Sequence, residues 1–228
     1  MTVVGVGADG WVGLPEPSRA LVRAAATLLG GRRHLEAVPP VDGQQRVAWP
    51  SPLRDNLPGV LASARGPVVV LASGDPLVSG IGTTLLDVLG PERVTIVPGV
   101  SSVALARARL GWPAESVTTV SLVGRDLRLI VPALSAGRRL LVLSSDGTTP
   151  AAAAVLTGLG WGQSRLVVLG DLGAAGESYR DHRGRVGPER RAAVERSRRR
   201  SSRCRSGLGR GRRVARRRVR ARRADHQT

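Results

Sequence analysis

Residues 66–73 read GPVVVLAS, and this run restricts the fold more than any other stretch of the chain. The successive apolar β-formers from Val68 to Leu71 leave no alternation between core and water. A strand of that kind is buried on both faces, as in a mainly parallel sheet covered by helices on either side. The run stops at Gly74-Asp75-Pro76, and the glycines Gly80 and Gly82 follow within LASGDPLVSGIG, 71–82. Glycines at a strand end let something come close to the backbone. A carboxylate among three of them raises the question of what that is.

The surrounding sequence repeats the strand-then-helix pattern. Residues 2–6 read as a strand. Ser18 is a candidate N-cap for a helix with apolar positions Leu21, Val22, Ala25, Leu28 and Leu29, closed by Gly30 and Gly31. GTTLLDVLGPE reads as a helix ended at Gly90-Pro91, RVTIVP as a strand, and SVALARARLG as a helix capped by Ser101 and ended by Gly111 and Pro113. SVTTVSLV, RRLLVLSS and SRLVVLGDL read as further strands, with a helix opened by Thr149 and Pro150 between the last two. Such alternation predicts an α/β fold. Its parts are an N-terminal α/β sub-domain over 1–111, a seam at GWPAES, and a second α/β sub-domain over 112–182.

Residues 183–228 are a different material. The formal charge is +18, yet residues 1–182 carry 16 Arg against 14 acidic residues, whereas 183–228 carry 19 Arg against three. The body is therefore near neutral. The tail of Arg, Gly, Ser and Ala has no usable period and too little apolar surface to offset the backbone entropy of ordering, about 1–2 kcal/mol per residue. It is expected to be disordered. The lone cysteine, Cys204, lies there, so no intrachain disulfide forms and a reducing, cytoplasmic setting fits. The N-terminus lacks a signal-peptide pattern, and no apolar run approaches the roughly 20 residues of a membrane span.

Three loops follow three candidate strands in the first half: GVGADGWVGL, SGDPLVSGIG and PGVSSV. Ligands of open α/β sheets sit outside the carboxyl ends of strands, so one shared cleft is expected. The first loop matches G-x-G-x-x-G at residues 5–10, a weak signal that also describes a tight strand-to-helix turn. No acidic residue stands where a dinucleotide fold would place one. The chain contains no lysine, which removes a phosphate-binding P-loop. Asp75 either accepts from a ligand hydroxyl or amine, or caps its own turn. Ser101 reads first as an N-cap. His34, His182 and His226 stand isolated, so neither a metal site nor a Ser-His-Asp triad is expected. Trp11, Trp49, Trp112 and Trp161 lie mostly beside Pro or Gly and are expected to pack under loops or line a flat ligand.

GVGADGWVGL, ASGDPLVSGIGTTL, VPGVSSVALARARLGWP, VSLVGRD and VLSSDGTTPAAAAVL, in this order and spacing, resemble the tetrapyrrole (corrin/porphyrin) methylases. The likeness runs from about residue 2 to 184. It is strongest to the branch acting on precorrin-6Y at carbon 5 in cobalamin biosynthesis. The resemblance implies two α/β domains with S-adenosylmethionine in the cleft between them, a precorrin substrate, and a homodimer. It places Ala8, Gly74, Asp75, Val78, Ser101 and Ser102 beside the cofactor, with Ser145 and Leu172 closing the cleft from the second half. Arg125 is assigned to a substrate carboxylate, which a guanidinium matches bidentately. No catalytic base is named, because alignment and exclusion of water are the main demands on the protein.

Two departures from the family shape the remaining expectations. Members that carry a second domain for carbon 15 and decarboxylation are longer, so a separate carbon-15 methyltransferase/decarboxylase is an expected partner. The Arg-rich tail stands where the family has another apolar strand, which suggests a reading-frame change near Arg183 and an incomplete second domain. The alternatives are a same-fold methylase with another substrate, an inactive remnant, or a protein that binds nucleic acid non-specifically through its tail.

Overall fold

The computed structural model describes residues 1–144 and 148–182. The Arg-rich stretch from Arg183 onward and residues 145–147 lie outside them. The elements are strand β1 (Thr2–Val6), helices α1 (Gly10–Gly13) and α2 (Glu16–Ala24), β2 (Thr27–Gly30), α3 (Arg32–Glu36) and β3 (Gln45–Ala48). Next come α4 (Leu53–Ser63), β4 (Val68–Ser73), α5 (Ile81–Leu89), β5 (Thr95–Val97) and α6 (Ser102–Leu110). The second half holds β6 (Val117–Ser121), β7 (Arg139–Leu143), α7 (Thr148–Gly158), β8 (Leu166–Gly170) and β9 (Ser178–His182).

Strands β1–β5 form one parallel sheet in the order β3-β2-β4-β1-β5. The GPVVVLAS run is its central strand, paired with β1 on one side and β2 on the other. The period of two sorts each buried strand between two cores. Val4, Val6, Leu28, Val69 and Leu71 face Val22, Ala25, Leu14 and Val38 on one side. Val3, Leu29, Val70 and Ala72 face Leu57 of α4 and Leu85 of α5 on the other. That double burial is why the run carries no polar alternation. Burying a Leu or Val side chain on either face is worth about 1.5–3 kcal/mol.

One expected helix is corrected. Leu28 and Leu29 lie in β2, not in a helix continuing from Ser18. Both are fully buried, one on each face of the sheet. A helix-spaced apolar set and a two-faced buried strand are not distinguishable over four residues. The break comes at Ala25, which is extended. The amides of Ala26 and Thr27 then donate to the carbonyl of Pro67. Ser18 does not cap the helix: Pro15 occupies the N-cap position, and Ser18 is buried inside α2. Likewise α7 begins at Thr148, which puts Thr149 inside the helix.

The other helix ends follow the sequence. Gly90 closes α5 with φ 85°, and Gly111 closes α6 in the left-handed region with φ 64°. In the second half β6 and β7 pair in parallel. Strands β8 and β9 pair antiparallel, because only residues 171–177 join them and a parallel crossover needs about a dozen; β9 itself has no counterpart among the strands read from the sequence. No helix among the described residues is long and apolar enough to cross a membrane.

Candidate functional site

Strands β4, β1 and β5 are neighbours, so their carboxyl ends deliver three loops to one edge of the sheet. The junction is made of glycine backbone. The amide of Gly74 donates to the carbonyl of Val6 at 2.8 Å, and that of Gly99 donates to the carbonyl of Gly74 at 3.0 Å. A methyl group on Gly5 would overlap the Gly74 carbonyl oxygen and the Gly99 amide nitrogen. One on Gly99 would stand 2.8 Å from the Gly5 oxygen. Gly74 has φ +50°, and its Cβ would lie 2.9 Å from Cα of Ser101.

The glycines around the carboxylate have the same explanation. A Cβ on Gly80 or Gly82 would lie 2.6 or 2.7 Å from the carbonyl oxygen of Pro76, which is fully buried. What comes so close to this backbone is the chain itself. Asp75 sits half-buried inside the curl, and its Oδ1 accepts from the Leu77 amide at 2.9 Å. That is the turn-capping role. The amide of Val78 donates to the Asp75 carbonyl at 3.1 Å, and Ser79 adopts φ 55°, a costly conformation outside glycine.

Ser101 is the N-cap of α6, its Oγ accepting from the Ala104 amide at 3.1 Å. Ser102 opens the helix with an exposed side chain. Leu77 and Val100 are also exposed, at 47% and 61%, although both are apolar.

A loop from the second half reaches this edge. In turn 171–177, Asp171 has φ 49° and Gly173 has φ 83°. A Cβ on Gly173 would stand 3.2 Å from Leu105 of α6 and 3.8 Å from Cβ of Ala8. Arg109 of α6 holds the turn with a two-pronged ion pair to Glu177, at 2.6 and 3.1 Å. Glu177 also accepts from the Gly173 amide at 2.9 Å, and these donors hold its carboxyl below the ordinary carboxylate range. Ala8 and the turn carrying Leu172 are thus brought together. Gly74, Asp75, Val78, Ser101 and Ser102 share the neighbouring junction. Arg125 is exposed in the 122–125 turn, and no ion pair joins it to these groups among the described residues. Ser145 lies outside the described residues.

His34 is not isolated. Helix α3 follows β2 at the same edge of the sheet and sets its Nε2 3.0 Å from Oγ of Ser73, the last residue of β4. Nη2 of Arg33 donates to the same oxygen at 2.6 Å. Burial, reinforced by the Arg33 charge, lowers the imidazole pKa to about 4, so it is neutral near pH 7. The pairing spans 39 residues and has no local sequence signal; only the adjacency of β2 and β4 creates it.

Comparison with known proteins gives a consistent picture. The profile of the Tetrapyrrole (Corrin/Porphyrin) Methylases matches residues 1–185. The chain is 43% identical over 178 residues to a precorrin-6Y C(5,15)-methyltransferase [decarboxylating] of Sinorhizobium sp, covering 78% of this chain and 43% of that protein. It thus spans less than half the length of that curated relative. Among solved structures, the precorrin-6Y methylase of Archaeoglobus fulgidus superposes with TM-score 0.60 at 26% identity, over 80% of this chain and 88% of that one. The uroporphyrin-III C-methyltransferase of Thermus thermophilus complexed with S-adenosylhomocysteine gives 0.56 at 25% identity, over 80% and 82%.

Proposed function

The chain belongs to the tetrapyrrole (corrin/porphyrin) methylases, and from that premise we propose that it is a methyltransferase of cobalamin biosynthesis. In this reading it uses S-adenosylmethionine and methylates carbon 5 of a precorrin. The observation that carries the reading is the glycine junction of Gly5, Gly74 and Gly99, faced by the turn that Arg109 and Glu177 hold beside Ala8.

The residues present suit the cofactor. The floor is backbone, and the side chains around it are either small and exposed, as at Ala8 and Ser102, or apolar and exposed, as at Leu77 and Val100. A nucleoside and a short amino-acid chain need that mixture of peptide groups and apolar surface. Gly74, Asp75, Val78, Ser101 and Ser102 would hold it, with Ala8 and Leu172 on the side of the 171–177 turn. When bound, the cofactor supplies an already activated sulfonium methyl group.

The remaining work falls to the chain's own residues. The rigid loop ends align donor and acceptor, a contribution that in well-oriented systems reaches about 7–11 kcal/mol of the barrier. The turn and the exposed apolar side chains exclude water. No base is assigned. Arg125, exposed and free of ion pairs among the described residues, is assigned to a carboxylate at the substrate's rim. The functional unit in this proposal is a homodimer, which light scattering on the purified protein tests.

Calorimetric titration of the full chain with S-adenosylhomocysteine tests the main reading. Saturable one-site binding in the micromolar range is the expected outcome. Absence of heat at millimolar ligand, with the protein folded by circular dichroism, refutes an active methylase.

A further inference from the structure

Arg33, His34 and Ser73 form a polar cluster with no part in the cofactor assignments above. Ser73 ends the central strand and directly precedes Gly74, so its hydroxyl opens onto the same sheet edge as the glycine junction. Two groups converge on that oxygen: Nη2 of Arg33 at 2.6 Å and Nε2 of His34 at 3.0 Å. The imidazole is seated on a glycine pair. A Cβ on Gly30 would stand 3.6 Å from Cβ of His34, and one on Gly31 would stand 3.3 Å from its Nδ1. That Nδ1 is buried and has no hydrogen-bond partner among the described residues. A neutral imidazole there adds no charge and serves to fix the hydroxyl.

The charge belongs to the arginines. Arg32 and Arg33 are both exposed, and neither forms an ion pair among the described residues. Arg19, Arg23, Arg109 and Arg165 pair with carboxylates, whereas Arg33 shares an unpaired state among the described residues with Arg125 and differs from it in its hydrogen bond to Ser73. One Nη2 hydrogen bond to Ser73 turns the guanidinium of Arg33 toward the end of β4 and leaves it further N–H donors. An unpaired guanidinium at this edge of the sheet matches a carboxylate in a two-point contact.

We propose that Arg33, oriented by Ser73 and His34, is a carboxylate-recognition corner of the cleft. The inference rests on the methylase reading, in which two bound molecules bring carboxylates: the rim of the tetrapyrrole and the amino-acid end of the cofactor. The chemistry is the same for both. Arg33 is the contacting residue, and Ser73 and His34 are positioning residues.

Full-length wild type, Arg33→Gln and Ser73→Ala are to be compared by fluorescence titration with uroporphyrin III and by calorimetry with S-adenosylhomocysteine. Circular dichroism and thermal melting confirm the fold. Loss of one charge-assisted contact predicts an affinity about ten-fold lower, or more, in Arg33→Gln. Ser73→Ala should show a smaller loss that Arg33→Gln does not compound in the double variant, because both act through one contact. A loss confined to uroporphyrin supports the corner and assigns it to the tetrapyrrole rim; one confined to S-adenosylhomocysteine supports it and assigns it to the cofactor. Unchanged affinity for both ligands in Arg33→Gln overturns the corner and leaves the methylase reading intact. A wild-type protein that holds S-adenosylhomocysteine but not uroporphyrin, while Arg33→Gln holds the former equally well, also overturns it. A wild type that binds neither ligand overturns the methylase reading and the corner with it.

Discussion

Replacing Gly5 by alanine is the sharpest perturbation of the junction. Gly5 lies in β1 with φ outside the left-handed region, so an alanine there has no conformational penalty of its own. The cost is steric, and the obstructing atoms are backbone: the Gly74 carbonyl and the Gly99 amide. No side chain can swing away, so the β4 and β5 loop ends must retreat. Retreat loosens the Gly74-to-Val6 and Gly99-to-Gly74 hydrogen bonds, each worth about 1 kcal/mol net. Overpacking adds about 1–3 kcal/mol, giving roughly 3–5 kcal/mol in all. Urea unfolding followed by tryptophan fluorescence reads this directly, since Trp11 and Trp49 pack against opposite faces of the sheet. With a slope of about 2 kcal/mol/M, the midpoint should fall by roughly 2 M. Gly59→Ala is the control. Gly59 sits inside α4, and a Cβ there meets nothing within 4 Å. Its replacement should stabilise by about 0.5–1 kcal/mol through helix propensity. A Gly5→Ala midpoint indistinguishable from wild type would show that the three loop ends are not locked together.

Three further outcomes are expected. Asp75→Ala removes the cap on the Leu77 amide, costs about 1 kcal/mol of stability, and weakens S-adenosylhomocysteine binding out of proportion to that cost; unchanged affinity returns Asp75 to a purely local turn. Glu177→Gln releases the 171–177 turn, so hydrogen exchange at the Gly173 amide should quicken while the melting temperature barely moves, and equal exchange rates would refute the latch. His34 titrates near 4 in the fold against 6.5 unfolded, so its stabilising contribution is complete above pH 6.5 and is lost as pH falls toward 4. Allowing for solvent screening, the loss is on the order of 1–2 kcal/mol, and a His34→Gln variant should lack this part of the pH dependence in urea titrations from pH 4 to 7.

Local sequence carries information where the physics is local. The central strand was legible because four consecutive apolar residues leave no solvent face, and β4 spans Val68–Ser73 as that run implies. Ser101 capping α6 and Gly111 ending it were legible because caps are read within one turn. The segment around Leu28 and Leu29 is ambiguous by itself, because helix spacing and double-faced burial coincide over so few residues. Strand β3 carries only a short apolar signal, Val47 and Ala48 after Gln45 and Arg46, since it sits at the sheet's edge, where only one neighbour is required.

The amino-acid order by itself determined that an α/β fold with a two-faced sheet would form, and that three glycine-bearing loops would follow strands. It also carried the family, because GDP, GIG, PGVSS and ARLGWP keep their spacing. The tertiary structure decided which backbones those glycines admit. Strand order puts β4 between β2 and β1, so the loop ends of β1, β4 and β5 interlock and Arg33 and His34 reach Ser73. Packing of α6 against the 171–177 turn sets Glu177 on Arg109, 68 residues away. Contacts over such separations arise from burial of the sheet between its helices, a global free-energy gain to which no short stretch of sequence alone corresponds.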